Sequence, residues 1–328
     1  SAPFSNPGSS ILVSAPGSNV ASTSRIQMND DGTVFGADTS TAQGTSFATP
    51  IVSGVVALML EVNPNLGWRD VQQILAMTAR KVNDANTDSM WNSATNWNGG
   101  GMHTSHDYGY GDIDARAAVR LAETWAFTHT SYNERLLSAG EGSVNGGANL
   151  NVVIGDGAVI TRTLAIGAGL RAEHATVSLD LNHSNWGDLT VELISPTGTV
   201  SKLIANPGTS STSAGGDVGI GRLTFALDTT HDYGENAQGN WQLRITDRSG
   251  RGTGTLLGWR VDVYGSDLNE TAASMNTVSG APIISAIGDD QYVYTDEFAT
   301  APGSSRNTLV DSNNGRDIIN ASAVSSNS

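Results

Sequence analysis

The sequence predicts two structural units in succession, a mixed α/β unit over residues 1–128 and an all-β sandwich over residues 129–266. Three observations lead to this division. In the first unit apolar residues recur at spacings of three and four, the period of a helix buried on one face. In the second they alternate with polar residues in short runs, as antiparallel strands do. Glycine makes up 38 of 328 residues and aromatic residues 6 %, which favours turn-rich β structure over a helical bundle.

The first unit is predicted to contain a short strand, a hairpin and three helices. Ile11–Val13 is a brief apolar run that indicates a buried strand. Asn29–Thr33 is a strong turn signal between two β-like arms, so a hairpin is expected there. The carboxylates of Asp30 and Asp31 leave calcium binding open as an alternative to a plain turn. The helices are predicted at Thr45–Glu61, Trp68–Arg80 and Ala115–Trp125, the second with basic residues in its last turn.

The second unit is predicted to be an antiparallel sandwich. Trp241 and Trp259 are expected to anchor its core, because each stands in an alternating run. The runs that define the strands are Val177/Leu179/Leu181, Leu189/Val191/Leu193, Leu223/Phe225/Leu227, Trp241/Leu243/Ile245 and Trp259/Val261/Val263.

Charge and cysteine content exclude several classes of protein. The chain has 17 basic and 32 acidic side chains, which give a net charge of −15. Nucleic-acid binding needs a basic surface, so no nucleic-acid partner is expected. The absence of cysteine excludes a disulfide framework and any cysteine-based zinc or redox site. Because no window of about 18 consecutive residues is wholly apolar, no membrane span is predicted.

The segment Gly44–Pro50 is the sharpest chemical signal in the sequence. Ser46 stands at the predicted start of a helix, where serine is ordinarily an N-cap. Gly44 permits close backbone approach and Ala48 leaves space beside the serine. Pro50 is expected at the end of the first turn, where its missing N–H removes no helical hydrogen bond. Since a helix N-terminus also stabilises a developing oxyanion, these features alone support an N-cap and a nucleophile equally.

A family resemblance separates these two interpretations. Gly44-Thr45-Ser46-Phe47-Ala48-Thr49-Pro50 resembles the nucleophile motif of subtilisin-family serine proteases, Gly-Thr-Ser-x-Ala-x-Pro. Further segments are similar to the kexin/furin branch of that family, namely Phe4–Asn6, Val13–Gly17, Leu58–Leu66, Trp68–Val71, Ser105–Gly111 and Ile113–Ala115. The resemblance implies that residues 1–128 are the C-terminal part of an α/β subtilisin-like catalytic domain. It also implies that Ser46 is the catalytic nucleophile.

The sandwich resembles the P domain of proprotein convertases. The segments that carry this resemblance are Asn182-His183, Gly187–Leu189, Glu192–Thr199, Tyr233–Asn236, Gly239–Leu243 and Gly254–Leu256. It implies a jelly-roll-like sandwich that packs on the catalytic domain and contributes no catalytic residue. Asp188 is expected to bind backbone N–H groups, with a cation as the alternative ligand.

The general base expected of a serine protease is not found in this sequence. In the family the aspartate, histidine and oxyanion asparagine motifs precede the serine by more than the 45 residues present here. The chain, which starts without Met, is therefore expected to be a portion of a longer protein and inactive alone. His103 and His106 are expected to lie in a solvated loop rather than to pair on a metal. The histidines, none of which is assigned as the base, are His103, His106, His129, His174, His183 and His231.

The end of the sequence differs from both units. Residues 267–281 are polar and small, and are predicted to form a linker. Residues 282–328 form a tail with strand-like segments at Gln291–Tyr294 and Thr308–Val310. Residues 308–322 resemble the lead-in to serralysin-type C-terminal regions. That resemblance implies calcium-binding repeats downstream and leaves open a plain acidic linker. It assigns no calcium ligand to Asp311 or Asp317.

Two functions follow from the sequence. The resemblance implies a secreted, calcium-dependent serine endopeptidase of bacterial origin that acts on proteins or peptides, with its Ca²⁺ ligands unassigned. The alternative is a non-catalytic binding or adhesion module built on the sandwich. The reading frame upstream of Ser1 distinguishes them, because catalytic motifs there would support the enzyme.

Overall fold

The computed structural model describes residues 2–82, 91, 103–207, 221–248, 252–268, 291–296 and 318–325. Within this part of the chain, helices and small hairpins come first and a two-sheet β sandwich follows. The predicted fold class is therefore confirmed. The exact domain boundaries stay predictions.

Three helices form the core of the first unit. Apolar residues from all three pack together, including Met59, Ile74 and Leu121, each with no exposed surface. The helices are α1 (Thr45–Val62), α2 (Trp68–Thr78) and α3 (Ala115–Glu123). All three were predicted from their apolar spacing.

The end of α2 corrects one expectation. The helix stops at Thr78, because Ala79 is already extended. The Arg80 N–H then donates to the carbonyl of Asp112 at 2.8 Å, and the Asp112 N–H returns a bond to Arg80 at 2.9 Å. Arg80 therefore pairs with Asp112 through its backbone outside the helix. The basic residues expected in the last turn of α2 are not there.

The length and apolar composition of α1 would allow it to cross a membrane, a test that core helices of soluble proteins also pass. In the described structure α1 packs along α3, with Val55 and Met59 buried. Leu58 and Leu60 on its other faces are exposed. The predicted absence of a membrane span stays a prediction.

A long hairpin precedes α1. It consists of two antiparallel pairs, β1 (Val20–Thr23) with β4 (Thr39–Ala42) and β2 (Gln27–Met28) with β3 (Val34–Phe35). The predicted turn closes it, with Gly32 at φ +83°. Asp31 Oδ1 accepts the Thr33 N–H at 2.8 Å, and hydrogen bonds from Thr33 lower the pKa of this carboxyl. The Asp31 carboxylate thus has a local partner, which supports the plain turn over the calcium alternative.

The strand predicted at Ile11–Val13 does not form. The backbone there makes single contacts with the segment 110–113: the Tyr110 N–H donates to Leu12, and the Ile113 N–H donates to Ser14. Ser14 forms only an isolated bridge with Asp112. The facing segment contains Gly111 at φ +125°, and this conformation interrupts a regular ladder.

The sandwich has two antiparallel sheets. One has the order β10–β9–β12–β7, and the other has the order β11–β8–β13–β5 with β6 paired to β13. The strands are β5 (Arg135–Gly142), β6 (Val152–Ile154), β7 (Val159–Ile166), β8 (Arg171–His183), β9 (Leu189–Ile194), β10 (Val200–Ala205), β11 (Gly221–Thr229), β12 (Gly239–Asp247) and β13 (Gly254–Ser266). All five alternating runs lie in these strands.

The two predicted tryptophan anchors lie in the core between the sheets, fully buried. Trp241 Nε1 donates to the carbonyl of Ala237 at 2.9 Å, and Trp259 Nε1 donates to Glu141 Oε1 at 2.8 Å. Each indole is thus buried with its one polar atom satisfied, as a stable core requires.

A buried ion pair joins the two units. Arg69 in α2 has no exposed side-chain surface, and it donates to both carboxylate oxygens of Glu173 in β8, at 2.7 and 2.5 Å. The same guanidinium donates to Ser266 Oγ at 2.7 Å and to the Thr130 carbonyl at 3.0 Å. Since a bidentate pair needs both partners in fixed geometry, this contact sets how α2 meets the sandwich.

Asp70, the next residue, secures the connection between the units. Its carboxylate accepts the N–H groups of Gly67 and His129, at 2.8 and 2.7 Å. It also accepts Trp125 Nε1 at 2.8 Å and lies 2.5 Å from His129 Nδ1. One buried side chain thus satisfies both the start of α2 and the segment that leads into the sandwich.

The described part of the tail returns to the helices. β14 (Gln291–Thr295) and β15 (Ile318–Ala323) form a parallel pair. Val293 and Ala323 join the core of the first unit, and Asn320 Nδ2 donates to Thr124 Oγ1 at 2.9 Å. The predicted strand at Gln291–Tyr294 is therefore confirmed. Residues 269–290 of the predicted linker and tail, the segment Thr308–Val310, Asp311 and Asp317 lie outside the described residues.

Candidate active site around Ser46

Ser46 is the second residue of α1, and its side chain is exposed. Gly44 occupies the N-cap position, with φ +142° and ψ 158°, and makes no side-chain cap. The N-cap interpretation of Ser46 is therefore wrong: the chain enters the helix through a glycine, and the serine lies inside the first turn. This placement leaves the hydroxyl available for other chemistry.

Backbone contacts fix the approach to Ser46. The Gly44 N–H donates to the carbonyl of Gly17 at 2.8 Å, and the Gly44 carbonyl accepts from Phe47 at 3.0 Å. A Cβ on Gly17 would lie 3.1 Å from the Gly44 carbonyl oxygen, tighter than most real contacts. Gly17 thus supports the loop that carries the nucleophile candidate.

Pro50 is not where the sequence placed it. It lies inside α1, as the sixth residue of the helix rather than at the end of the first turn. Its missing N–H would otherwise bond the carbonyl of Ser46, four residues earlier. The proline therefore does remove a helical hydrogen bond, and it removes the one that would use the Ser46 carbonyl.

The electrostatics of this position suit an anionic transition state. The first N–H groups of a helix have no partner within the helix and carry a partial positive charge. Ser46 has α1, of 18 residues, behind it, and the first turn holds no acidic side chain that would cancel this field. A negative oxygen that develops beside Ser46 is thus stabilised by the backbone alone.

We expect Gly44→Ala to strain this site. A residue with a Cβ is strained at φ +142°, so the free energy of unfolding of the chain should fall by about 1–3 kcal/mol. The matched control is Gly54→Ala in the same helix, where a Cβ meets nothing within 4 Å. That change should stabilise the helix by up to about 1 kcal/mol. Urea denaturation of both variants measures the difference, and equal effects would show that the Gly44 conformation is not required.

Each of the six histidines has a structural contact away from Ser46. His103 packs edge-on against Trp91, with ring centroids 5.1 Å apart, and His106 packs against His231 at 4.5 Å. The expected solvated loop is therefore wrong for this pair, because both rings pack on aromatic neighbours. Of the others, His129 lies beside Asp70, His174 beside Tyr264, and His183 beside Asn185 and Asp247.

Asp188 has a protein partner. Its Oδ2 accepts the side-chain amide of Asn185 at 2.5 Å, where the sequence suggested backbone N–H groups. Asn185 Oδ1 in turn accepts the Gly187 N–H at 3.2 Å. Across the described residues, no group of three or more His, Asp or Glu side chains converges on one point. The described residues therefore assign no ligand to the calcium that the resemblance implies.

Sequence reasoning missed the contacts that hold the units together. Arg69 and Glu173 are 104 residues apart. Arg69 lies in the segment Trp68–Val71 that carries the resemblance, but nothing in that segment pointed to Glu173 as its partner. Asp70 and His129 are 59 residues apart. Their contact is like the Asp–His contact of a catalytic triad, but the pair joins the two units and lies away from Ser46. The one signal that could have found Arg69 was its position on the apolar side of an amphipathic helix, where an arginine needs a partner.

Comparison with known proteins agrees with both units. Residues 1–111 match the model of the subtilase family, and residues 172–263 match that of the proprotein convertase P-domain. The chain therefore holds a portion of a subtilase-family catalytic domain followed by a proprotein convertase P domain. Human furin is 33 % identical over 70 % of this chain and 27 % of furin, and kexin of Saccharomyces cerevisiae is 30 % identical over 70 % and 26 %. The chain spans about a quarter of each of these relatives.

A solved structure is similar to most of this chain. The serine protease of Aeromonas sobria superposes with a TM-score of 0.53 and 25 % identity, over 70 % of this chain and 45 % of that one. This relationship supports the fold of the matched part of the chain.

Proposed function

We propose that this chain carries the nucleophile and the P domain of a kexin-like serine endopeptidase, with Ser46 as the nucleophile. The observation that carries the proposal is the exposed Ser46 hydroxyl at the start of α1, inside the segment that matches the subtilase family. The backbone geometry at Gly44 and Gly17 supports it, because it fixes the loop immediately before the serine.

In this mechanism the Ser46 Oγ attacks the carbonyl carbon of a peptide bond, and its proton passes to a histidine. The described contacts place all six histidines elsewhere, so the base and its aspartate are proposed to come from residues outside this sequence. Without them the hydroxyl stays protonated and weakly nucleophilic at neutral pH. The first N–H groups of α1 would stabilise the oxyanion of the tetrahedral intermediate.

Other properties of the whole enzyme are proposals of the same kind. Its substrates are proteins or peptides, as proposed from the relatives named furin, kexin and serine protease. The net charge of −15 would steer basic substrates and raise their association rate. Export from a bacterial cell and calcium dependence are proposed on the resemblance, with the calcium ligands unassigned.

The alternative, a non-catalytic binding module built on the sandwich, accounts for the P domain but not for residues 1–111. That segment matches the subtilase family model and includes the Ser46 motif. A binding module would have no need for a glycine at φ +142° just before an exposed serine.

Covalent labelling tests the proposal. A fluorophosphonate probe should label Ser46 in a fusion in which the aspartate- and histidine-bearing segment of a kexin-like relative precedes this chain. The 328-residue chain alone should label far more slowly, because its serine lacks a base. Peptide mapping by mass spectrometry locates the adduct. Labelling at another serine, or none in a folded fusion, would contradict the assignment.

A further inference from the structure

Two histidines meet where the subtilase portion packs on the sandwich. His106 belongs to the loop before α3, and His231 belongs to the turn after β11. Their ring centroids are 4.5 Å apart with an angle of 70° between the planes. His231 is 1 % exposed, and neither of its ring nitrogens has a hydrogen-bond partner among the described residues. Two rings that can each gain a proton are therefore in direct contact across the joint, which is the surface where the two units pack together.

One hydrogen bond fixes the protonation state of His106. The backbone N–H of Lys202 in β10 donates to His106 Nε2 at 2.8 Å. A backbone N–H can only donate, so Nε2 must carry a lone pair and the ring must be neutral. A proton on Nε2 would remove this bond between the loop and the sandwich.

The surroundings oppose protonation of both rings. Burial lowers the pKa of His106 and Lys202 lowers it further, while Asp107 and Glu192 act in the opposite direction. Burial, with a smaller contribution from His106, lowers the pKa of His231 from 6.5 to about 3. Both imidazoles are therefore neutral at pH 7, and the joint is built around uncharged rings.

We propose that His106 and His231 form an acid-sensitive latch between the subtilase portion and the P domain, closed when both imidazoles are neutral. Protonation would break the Lys202 bond and place two positive rings in contact inside a buried interface. The Tyr110 hydroxyl still donates to the Thr230 carbonyl at 2.6 Å. Loss of the latch therefore loosens the joint and leaves its other contacts in place. The proposal does not depend on the chemistry of Ser46.

The sign of the pH dependence follows from the shifted groups. In the unfolded chain each histidine takes up a proton below about pH 6.5, whereas in the folded chain its lowered pKa moves protonation to a lower pH. The unfolded state then binds more protons, so each histidine lowers the folded-to-unfolded ratio by up to about tenfold per pH unit below 6.5.

Asp232, beside His231, acts in the opposite direction. Burial, and to a smaller extent Glu235, raises its pKa from 3.8 to about 8, so this carboxyl favours the folded state as the pH falls through that range. The comparison must therefore be made between variants that share Asp232.

The test is the pH dependence of stability and of domain contact in the 328-residue chain. His106→Gln keeps an acceptor for Lys202, and His231→Phe keeps the aromatic contact, while neither side chain titrates. Between pH 6.5 and 4.5, the wild-type ratio of folded to unfolded protein should fall more steeply than that of the double variant, by up to about a hundredfold per pH unit. Equal slopes would overturn the proposal.

Domain contact is measured by energy transfer between two dyes. Because the chain has no cysteine, dyes on Ser53→Cys and Val153→Cys would label one exposed position in each unit. Transfer should fall on acidification in this background and stay constant when the two histidine substitutions are added. NMR titration of the imidazoles needs no variant that might fail to fold. Ordinary titration of both rings near pH 6.5 with unchanged energy transfer would also overturn the latch.

Discussion

Ser46→Ala is expected to abolish peptide-bond hydrolysis in the proposed complete enzyme, with a fall in kcat of about 10⁶-fold. The reason is chemical: alanine has no oxygen to attack the carbonyl carbon, so only oxyanion stabilisation and binding remain. The substitution lies at an exposed position and removes no N-cap, so the protein should fold normally. Cleavage of a fluorogenic peptide by the fusion described above gives the rate.

Ser53→Ala provides the matched control for this prediction. Ser53 is exposed, seven residues further along the same helix, and its hydroxyl donates to the Thr49 carbonyl at 3.2 Å. Its removal should leave kcat within about twofold, since a surface substitution of this kind changes stability by no more than about 0.5 kcal/mol. Retention of activity in Ser46→Ala, with loss in Ser53→Ala, would reject Ser46 as the nucleophile.

Arg69→Ala has the largest expected effect on stability. It leaves the Glu173 carboxylate buried beside Ser266 with no opposite charge, a situation that costs about 3–5 kcal/mol. Urea denaturation of the 328-residue chain, followed by tryptophan fluorescence, measures the loss. The transition should also become broader or biphasic, because the ion pair joins the two units and its removal lets them unfold separately.

Two further variants separate charge from packing. Arg80→Ala, just beyond α2, removes an arginine that is 60 % exposed and lies 3.4 Å or more from its acidic partners. An exposed pair contributes at most about 1 kcal/mol. Arg69→Met combined with Glu173→Leu removes both charges and should recover much of the stability lost in Arg69→Ala. If Arg69→Ala costs no more than Arg80→Ala, the buried pair does not hold the joint.

Local patterns predicted most of the fold. The alternating runs of the sandwich and the three helices were all found, because each pattern depends only on which face of an element is buried. The errors arose where another part of the chain intervened. Ile11–Val13 has strand composition, yet its partner segment contains Gly111 in a conformation that no regular strand adopts. Arg80 has helical spacing, yet pairing with Asp112 takes it out of α2.

The candidate site divides in the same way. The motif around Ser46 could be identified from the sequence because its residues are adjacent, and the family resemblance followed from them. The conformation of Gly44 could not be predicted, because glycine populates positive and negative φ about equally and the composition of the segment does not select between them.

The sequence by itself determined that this protein has an α/β unit followed by a β sandwich. It also determined which residue is the candidate nucleophile and which family each unit resembles. These properties reside in short segments, in which neighbouring residues specify one another. Only the tertiary structure decided how the units are joined. The contact between Arg69 and Glu173 and the contact between His106 and His231 each link residues more than 100 positions apart. Such pairs leave no local pattern, because burial of a charge or an imidazole is a property of the surface that covers it.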